Sequence, residues 1–229
     1  MSGTPSVSLV CVDLASIVID DSVVERAFAE AIATQGIVTG TEAYVRAMVR
    51  IDQARGRPPA GVLAELFETD EPRAQAASLA FDRSFRAAAD RFGVTVPPDV
   101  TDAFGKIASS GAKICLFSAL SRDASRDILG RLRRECPVDL ILHAGDAPRG
   151  FPWPDPVLTA MLRMGTGDVR EVAMISATTS GVLSGHRAGA RIVAAIGSGS
   201  RRLASLRDAG ATHVLDHIAA LPDLMTSAV

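Results

Sequence analysis

After residue 112 the chain alternates short apolar runs with stretches whose apolar positions recur at helical spacing. The runs are Lys113 to Phe117, Val138 to Leu142, Val172 to Ile175, Arg191 to Ile196 and Thr212 to Leu215. Short runs rich in β-branched residues suit strands buried on both faces, and their alternation with helical segments predicts βαβ units and a parallel sheet. The intervals carry helix punctuation: Pro154-Asp155-Pro156 opens the helix that leads to Met161 and Met164, and Gly165-Thr166-Gly167 closes it. A further run, Val7 to Val12, predicts a first strand that ends where Asp13 begins.

Between Asp13 and Lys113 the pattern is different. Ala, Arg and Glu dominate, and Phe28, Ile32, Tyr44, Met48, Ile51, Leu63, Phe67, Leu79, Phe81 and Phe85 supply the apolar faces of about four helices. This predicts an α-helical cap over residues 21–96, inserted into a Rossmann-like core made of residues 1–20 and 97–229 with five or six parallel strands. Arg55-Gly56-Arg57-Pro58-Pro59 reads as a loop inside the insertion, and Gly93 to Pro98 as a hinge back to the core.

The chain of 229 residues is long enough for one large domain or for a core with an insertion, and 48% hydrophobic residues describe a globular protein. A formal charge of -2 argues against a nucleic-acid partner. No run reaches transmembrane length and the N-terminus lacks a signal core, so membrane association is not expected. Cys11, Cys115 and Cys136 have neither metal-ligand spacing nor an even disulfide count, which points to a reducing cytoplasm. A homodimer is the default expectation for assembly. His143, His186, His213 and His217 form no catalytic spacing, and His143 reads as a structural hydrogen-bonding group.

Candidate chemistry collects at strand ends, because in open α/β sheets ligands bind beyond the carboxyl ends of the strands. Asp13 is there a candidate nucleophile or metal ligand, or simply the cap of the next turn. Ser118 ends the second core strand, where a hydroxyl and neighbouring backbone N–H groups hold an oxyanion.

The linked order of four segments resembles the haloacid dehalogenase superfamily, in its phosphonatase and β-phosphoglucomutase-like branch. The first is Asp13-Leu14-Ala15-Ser16-Ile17-Val18-Ile19-Asp20, where Ser16-Ile17 replaces the family's Gly-Thr and Ala15 matches a known variant. The second is Ser118-Ala119. The third is Gly150-Phe151-Pro152-Trp153-Pro154-Asp155, with Phe151 where the family carries a Lys or Arg. The fourth runs from Ser176-Ala177-Thr178-Thr179-Ser180-Gly181 to Ala188-Gly189, with Ala177 and Gly181 where the family pattern, Gly-Asp-Thr-x-x-Asp, carries its acids.

The resemblance implies a nucleophilic role for Asp13, phosphoryl binding by Ser118 and a ligand crevice lined by Ala15, Ser16, Ala119, Arg149, Phe151 and Trp153. Ile17, Phe151, Ala177 and Gly181 mark degenerate positions. Magnesium wants an octahedral oxygen shell with one or two carboxylates, so Asp13 alone predicts a lost metal site. Lys106 and Lys113 both fall in the core, which argues against Schiff-base phosphonatase chemistry. The expectation is a catalytically impaired hydrolase homologue, a pseudoenzyme, that binds a small anion or a protein partner. The alternative is a phosphatase- or dehalogenase-like hydrolase with Asp13 as nucleophile and a metal-independent site, drawing a cation from Arg149 or from the cap arginines Arg46, Arg50, Arg55 and Arg57.

Overall fold

The computed structural model describes residues 6–17, 21–92, 96–197 and 199–227. The sheet expected from the apolar runs is present, with six strands: β1 (Leu9–Asp13), β2 (Lys113–Ser118), β3 (Leu140–His143), β4 (Val172–Ser176), β5 (Ile192–Ile196) and β6 (His213–Leu215). All pairings are parallel and the spatial order is β3-β2-β1-β4-β5-β6. The chain builds outward from β1 in one direction and then restarts at β4 in the other. The crevice beyond the carboxyl ends of β1 and β4 is therefore the topological switch point, the place where such sheets bind ligands.

Strand periodicity explains the two layers that flank the sheet. Val10, Val12, Ile114, Leu116, Ala173 and Ile175 face one side and join a core with α5 (Pro98–Ser109) and α6 (Arg122–Glu135). Leu9, Cys11, Cys115, Phe117, Val172 and Met174 face the other and pack against α7 (Asp155–Met164), α8 (Thr179–Ala188) and α9 (Ser200–Asp208). Alternate residues of a strand point to opposite faces, so a strand covered on both sides is apolar throughout. Cys11 and Cys115 are unpaired, buried thiols opposite each other in the β1–β2 register, and burial pushes the Cys11 thiol well above its ordinary range. They serve as small core residues.

Four helices lie between β1 and α5: α1 (Asp21–Ala33), α2 (Glu42–Gln53), α3 (Pro59–Leu66) and α4 (Glu71–Phe92). The Phe28 and Phe81 rings meet with centroids 4.6 Å apart, and Phe81 stacks on Phe85 at 6.1 Å, which joins α1 to α4 through aromatic contact. Two polar links tie these helices to the sheet layer. The Ser121 hydroxyl, which caps α6 by accepting from the Ala124 N–H, donates to Asp82 at 2.7 Å. The Ser180 hydroxyl, in the first turn of α8, donates to the Arg55 carbonyl at 2.6 Å. Asp20 and the hinge residues Gly93, Val94 and Thr95 lie outside the described residues.

Candidate functional site

Asp13 is the last residue of β1 and only 2% exposed. Its Oδ1 accepts the Ala15 N–H at 3.2 Å, so the residue does cap the short 3-10 turn Leu14–Ser16. Its Oδ2 accepts two hydroxyls, from Ser176 at the end of β4 at 2.8 Å and from Thr178 in the loop that follows at 3.2 Å. Thr178 is also the N-cap of α8, accepting the Gly181 N–H at 3.1 Å, while the Ser176 hydroxyl accepts the Thr178 N–H at 3.0 Å. Hydroxyls are favoured at caps because one oxygen both donates and accepts. Here that double capacity turns the β4–α8 loop into a clasp on the Asp13 carboxylate.

The positions that depart from the resembled pattern have packing neighbours of their own. An added Cβ at Gly181 would lie 2.2 Å from the Ser176 Oγ and 2.7 Å from its Cβ, so a side chain there requires Ser176 or the backbone to shift. The fourth segment has thus exchanged bulk: where the resembled pattern has Gly and Asp, this chain has Ser176 and Gly181. Ala177 is half-buried, and its carbonyl accepts from Arg202 at 2.9 Å. Ile17 is buried in the core that includes Leu14 and Phe28. Phe151 is buried, its ring edge-on to Phe117 at a centroid distance of 5.6 Å, and borders a small depression of about 30 Å³ beside Ser118.

Two residues expected at the ligand crevice, Arg149 and Trp153, are not among those lining the cavity described below. The Arg149 guanidinium makes a two-pronged pair with Asp155 at 2.9 and 2.8 Å and stacks 4.2 Å over the Trp153 ring. Asp155 opens α7, and the fork geometry of arginine matches a carboxylate better than a long reach across the loop. Trp153 is 45% exposed, carries Arg187 against its ring as well, and does not border the cavity described next. Arg46 is exposed and pairs with Glu42.

Between α1, α2 and the ends of β1 and β2 lies a cavity of about 520 Å³. Asp13, Ala15, Ser118, Ala119 and Thr178 form its floor; Phe28, Tyr44, Met48 and Ile51 contribute to its walls. Arg55 and Arg57 border it, but Arg55 is paired with Glu25 and Asp52, and Arg57 with Glu65. Ser118 is 3% exposed, and its buried hydroxyl has no hydrogen-bond partner among the described residues. Ser16 closes the 3-10 turn next to this floor.

Gly56 completes the site from above. Its φ is +81°, and a Cβ there would fall 2.3 Å from the Thr178 Oγ1 and 2.4 Å from the Ser180 Oγ. Bare backbone at this point lets the α2–α3 loop touch the β4–α8 loop. Sequence reading passed over Gly56, Ser176, Thr178 and Ser180 as functional positions. The signals available were the density of hydroxyls in 176–180 and a glycine inside a Pro-rich break.

His143, at the end of β3, has its Nδ1 3.4 Å from the Ser125 hydroxyl, which itself donates to the Ser121 carbonyl, and its backbone N–H donates to Asp146. Burial and the nearby Arg122 hold its imidazole below the ordinary value of 6.5, partly countered by Asp146. A depressed base takes up a proton more readily when unfolded. Stability from this group is therefore full above pH 6.5 and is lost as pH falls through 6.5 toward the folded value. Urea unfolding across about pH 7 to 5 should show that decline, and His143→Asn should flatten it.

A donor set of one carboxylate and several hydroxyls does not suit magnesium, and Gly181 cannot be replaced by an acid without displacing Ser176. Among the described residues there is no group of three or more His, Cys, Asp or Glu side chains placed to hold a metal.

No protein-family model matches this chain, and no curated protein matches it by sequence. Solved structures match it along nearly its whole length. A phosphonoacetaldehyde hydrolase-like protein from Oleispira antarctica superposes with a TM-score of 0.79 at 18% identity, over 98% of this chain and 93% of the other. A hydrolase from Pseudomonas syringae gives 0.80 at 18% identity, over 96% and 98%. A candidate haloacid dehalogenase-like hydrolase from Bacteroides fragilis gives 0.73 at 18%, over 93% and 99%. At such identities the likeness is one of fold: this protein has the Rossmann-like α/β fold of the haloacid dehalogenase-type hydrolases.

Proposed function

We propose that this protein acts by binding rather than by hydrolysis: a pseudoenzyme that holds a ligand in the cavity between its helical cap, α1 to α4, and the sheet. The observation that carries the reading is the packing of Gly181 against Ser176, which excludes an acid from a position where the resembled hydrolases need one. The Asp13 carboxylate, in turn, is engaged by the Ser176 and Thr178 hydroxyls. Phe151 supports the same conclusion, since a neutral ring packed on Phe117 cannot balance the charge of a transferring phosphoryl group. Losing one well-placed charge-stabilising donor costs roughly 3 to 4 kcal/mol of transition-state stabilisation, and two such losses slow the reaction by roughly 10⁴- to 10⁶-fold.

The cavity lining also bears on the ligand. A small anion, expected from the resemblance, would meet Asp13 and two arginines already paired with carboxylates. The lining thus favours an uncharged or cationic ligand with an apolar body. Three buried, unpaired thiols are consistent with a reducing compartment, for which the cytoplasm is the proposed location. No helix among the described residues is long and apolar enough to cross a membrane.

The test is turnover of a broad phosphate-ester and haloacid panel by the purified protein, with and without magnesium, beside an Asp13→Asn variant. No turnover above that of the variant is the expected result. Turnover by the wild-type chain that the variant lacks would overturn the binding reading.

A further inference from the structure

Resting on the reading of the cavity as a binding site, we infer that its ligand is a primary amine with an apolar body, the ammonium seated on the floor beside Asp13 and Ser118. The Ser118 hydroxyl is buried and unpartnered, yet it borders the cavity. An unsatisfied buried hydroxyl is costly, so the polar end of the ligand belongs where it can bond to that oxygen. An ammonium offers three donors and requires no acceptor, so it can serve the hydroxyl oxygen and the carboxylate together.

Charge decides between head groups of the same size. Among the described lining residues the carboxylates are Asp13, Glu25 and Asp52, and the cations are Arg55 and Arg57. Arg57 is paired with Glu65, outside the lining, and Arg55 spans Glu25 and Asp52. The wall is therefore net acidic with its guanidinium groups committed, which attracts a cation and repels a carboxylate or phosphate. Phe28, Met48, Ile51 and Leu120 offer apolar surface to the body of the ligand, and a cavity of about 520 Å³ is within the range of small-molecule sites. Val45 and Val49, also lining but 58% and 51% exposed, form an apolar rim on the solvent side. An unbranched chain leading from the floor to that rim fits this gradient from polar to apolar.

Four probes that share an eight-carbon chain isolate the head group: octylamine, octanol, octanoate and octyl phosphate, each titrated into the purified protein by calorimetry. Octylamine is expected to bind saturably and at least about tenfold more tightly than octanol, with octanoate and octyl phosphate weaker still. Ser118→Ala should weaken octylamine about tenfold. Val49→Arg, at the exposed rim, should weaken octylamine and raise the affinity of octanoate, which locates the site even if Ser118→Ala proves unstable. Octanoate or octyl phosphate binding as tightly as octylamine would overturn the amine assignment and leave the binding reading standing. So would the absence of any saturable binding, or octylamine binding that neither variant alters. Turnover in the phosphate-ester panel would instead overturn the binding reading itself.

Discussion

Gly56→Ala is expected to lower the melting temperature by roughly 6 to 12 °C. The added methyl would meet the Thr178 Oγ1 at 2.3 Å, the Ser180 Oγ at 2.4 Å and the Thr178 Cβ at 2.7 Å. Overpacking of this kind costs about 1 to 3 kcal/mol, and a φ of +81° adds about 1 kcal/mol for a residue with a Cβ. A total near 3 kcal/mol, at about 2 to 4 °C per kcal/mol for a chain of this size, gives that range. Gly36→Ala is the control, because its φ of +80° is similar but nothing lies within 4 Å of the new carbon. It should cost only the backbone share, about 2 to 4 °C. Thermal melts of both variants measure the steric part by difference, and equal melting temperatures would show that the α2–α3 loop does not press on Thr178. Because Thr178 both caps α8 and donates to Asp13, the strain from Gly56→Ala should also reach the cavity floor.

Gly181→Asp, which puts an acid back into the fourth segment, is expected to damage the fold without creating a hydrolase. The new Cβ would lie 2.2 Å from the Ser176 Oγ and 3.1 Å from the Thr178 Oγ1, and a second carboxylate would enter the Asp13 clasp. Backbone displacement and like-charge repulsion together should cost about 3 to 5 kcal/mol, at the upper end for single substitutions. The companion change Ser176→Gly removes the Ser176 Oγ and Cβ contacts at 2.2 and 2.7 Å, so the double variant should recover the steric part of that loss in a denaturant titration. A double variant no more stable than Gly181→Asp alone would show that Ser176 does not set the identity of residue 181. With Phe151 still packed on Phe117, the double variant should remain inactive toward phosphate esters in the presence of magnesium.

The sheet was legible because burial leaves a local imprint. Each of the later apolar runs overlaps a strand, with shifts of a residue or two at the ends: β3 begins at Leu140 rather than Val138, and β1 extends to Asp13. Pro154-Asp155-Pro156 and Gly165 marked α7 for equally local reasons, a pre-set φ at the start and a left-handed residue at the end. For Arg149, proximity in sequence to Phe151 says nothing about which carboxylate a guanidinium will reach. Asp155, six residues on, captures it.

The sequence by itself determined the order of strands and helices along the chain, the positions of Asp13 and Ser118 at strand ends, and the residue types in the segments that resemble a hydrolase. These are matters of periodicity and side-chain identity, readable one segment at a time. Only the tertiary structure decided what packs at those positions. Ser176 reaches Asp13 across 163 residues because β4 lies beside β1 in parallel register, and Gly56 lies against Thr178 because the α2–α3 loop packs over that edge. Tyr44, Met48 and Ile51 read simply as the apolar face of a helix, yet they border a cavity. Helical spacing records that a face is apolar; whether that face meets side chains or an open space depends on the elements packed opposite it.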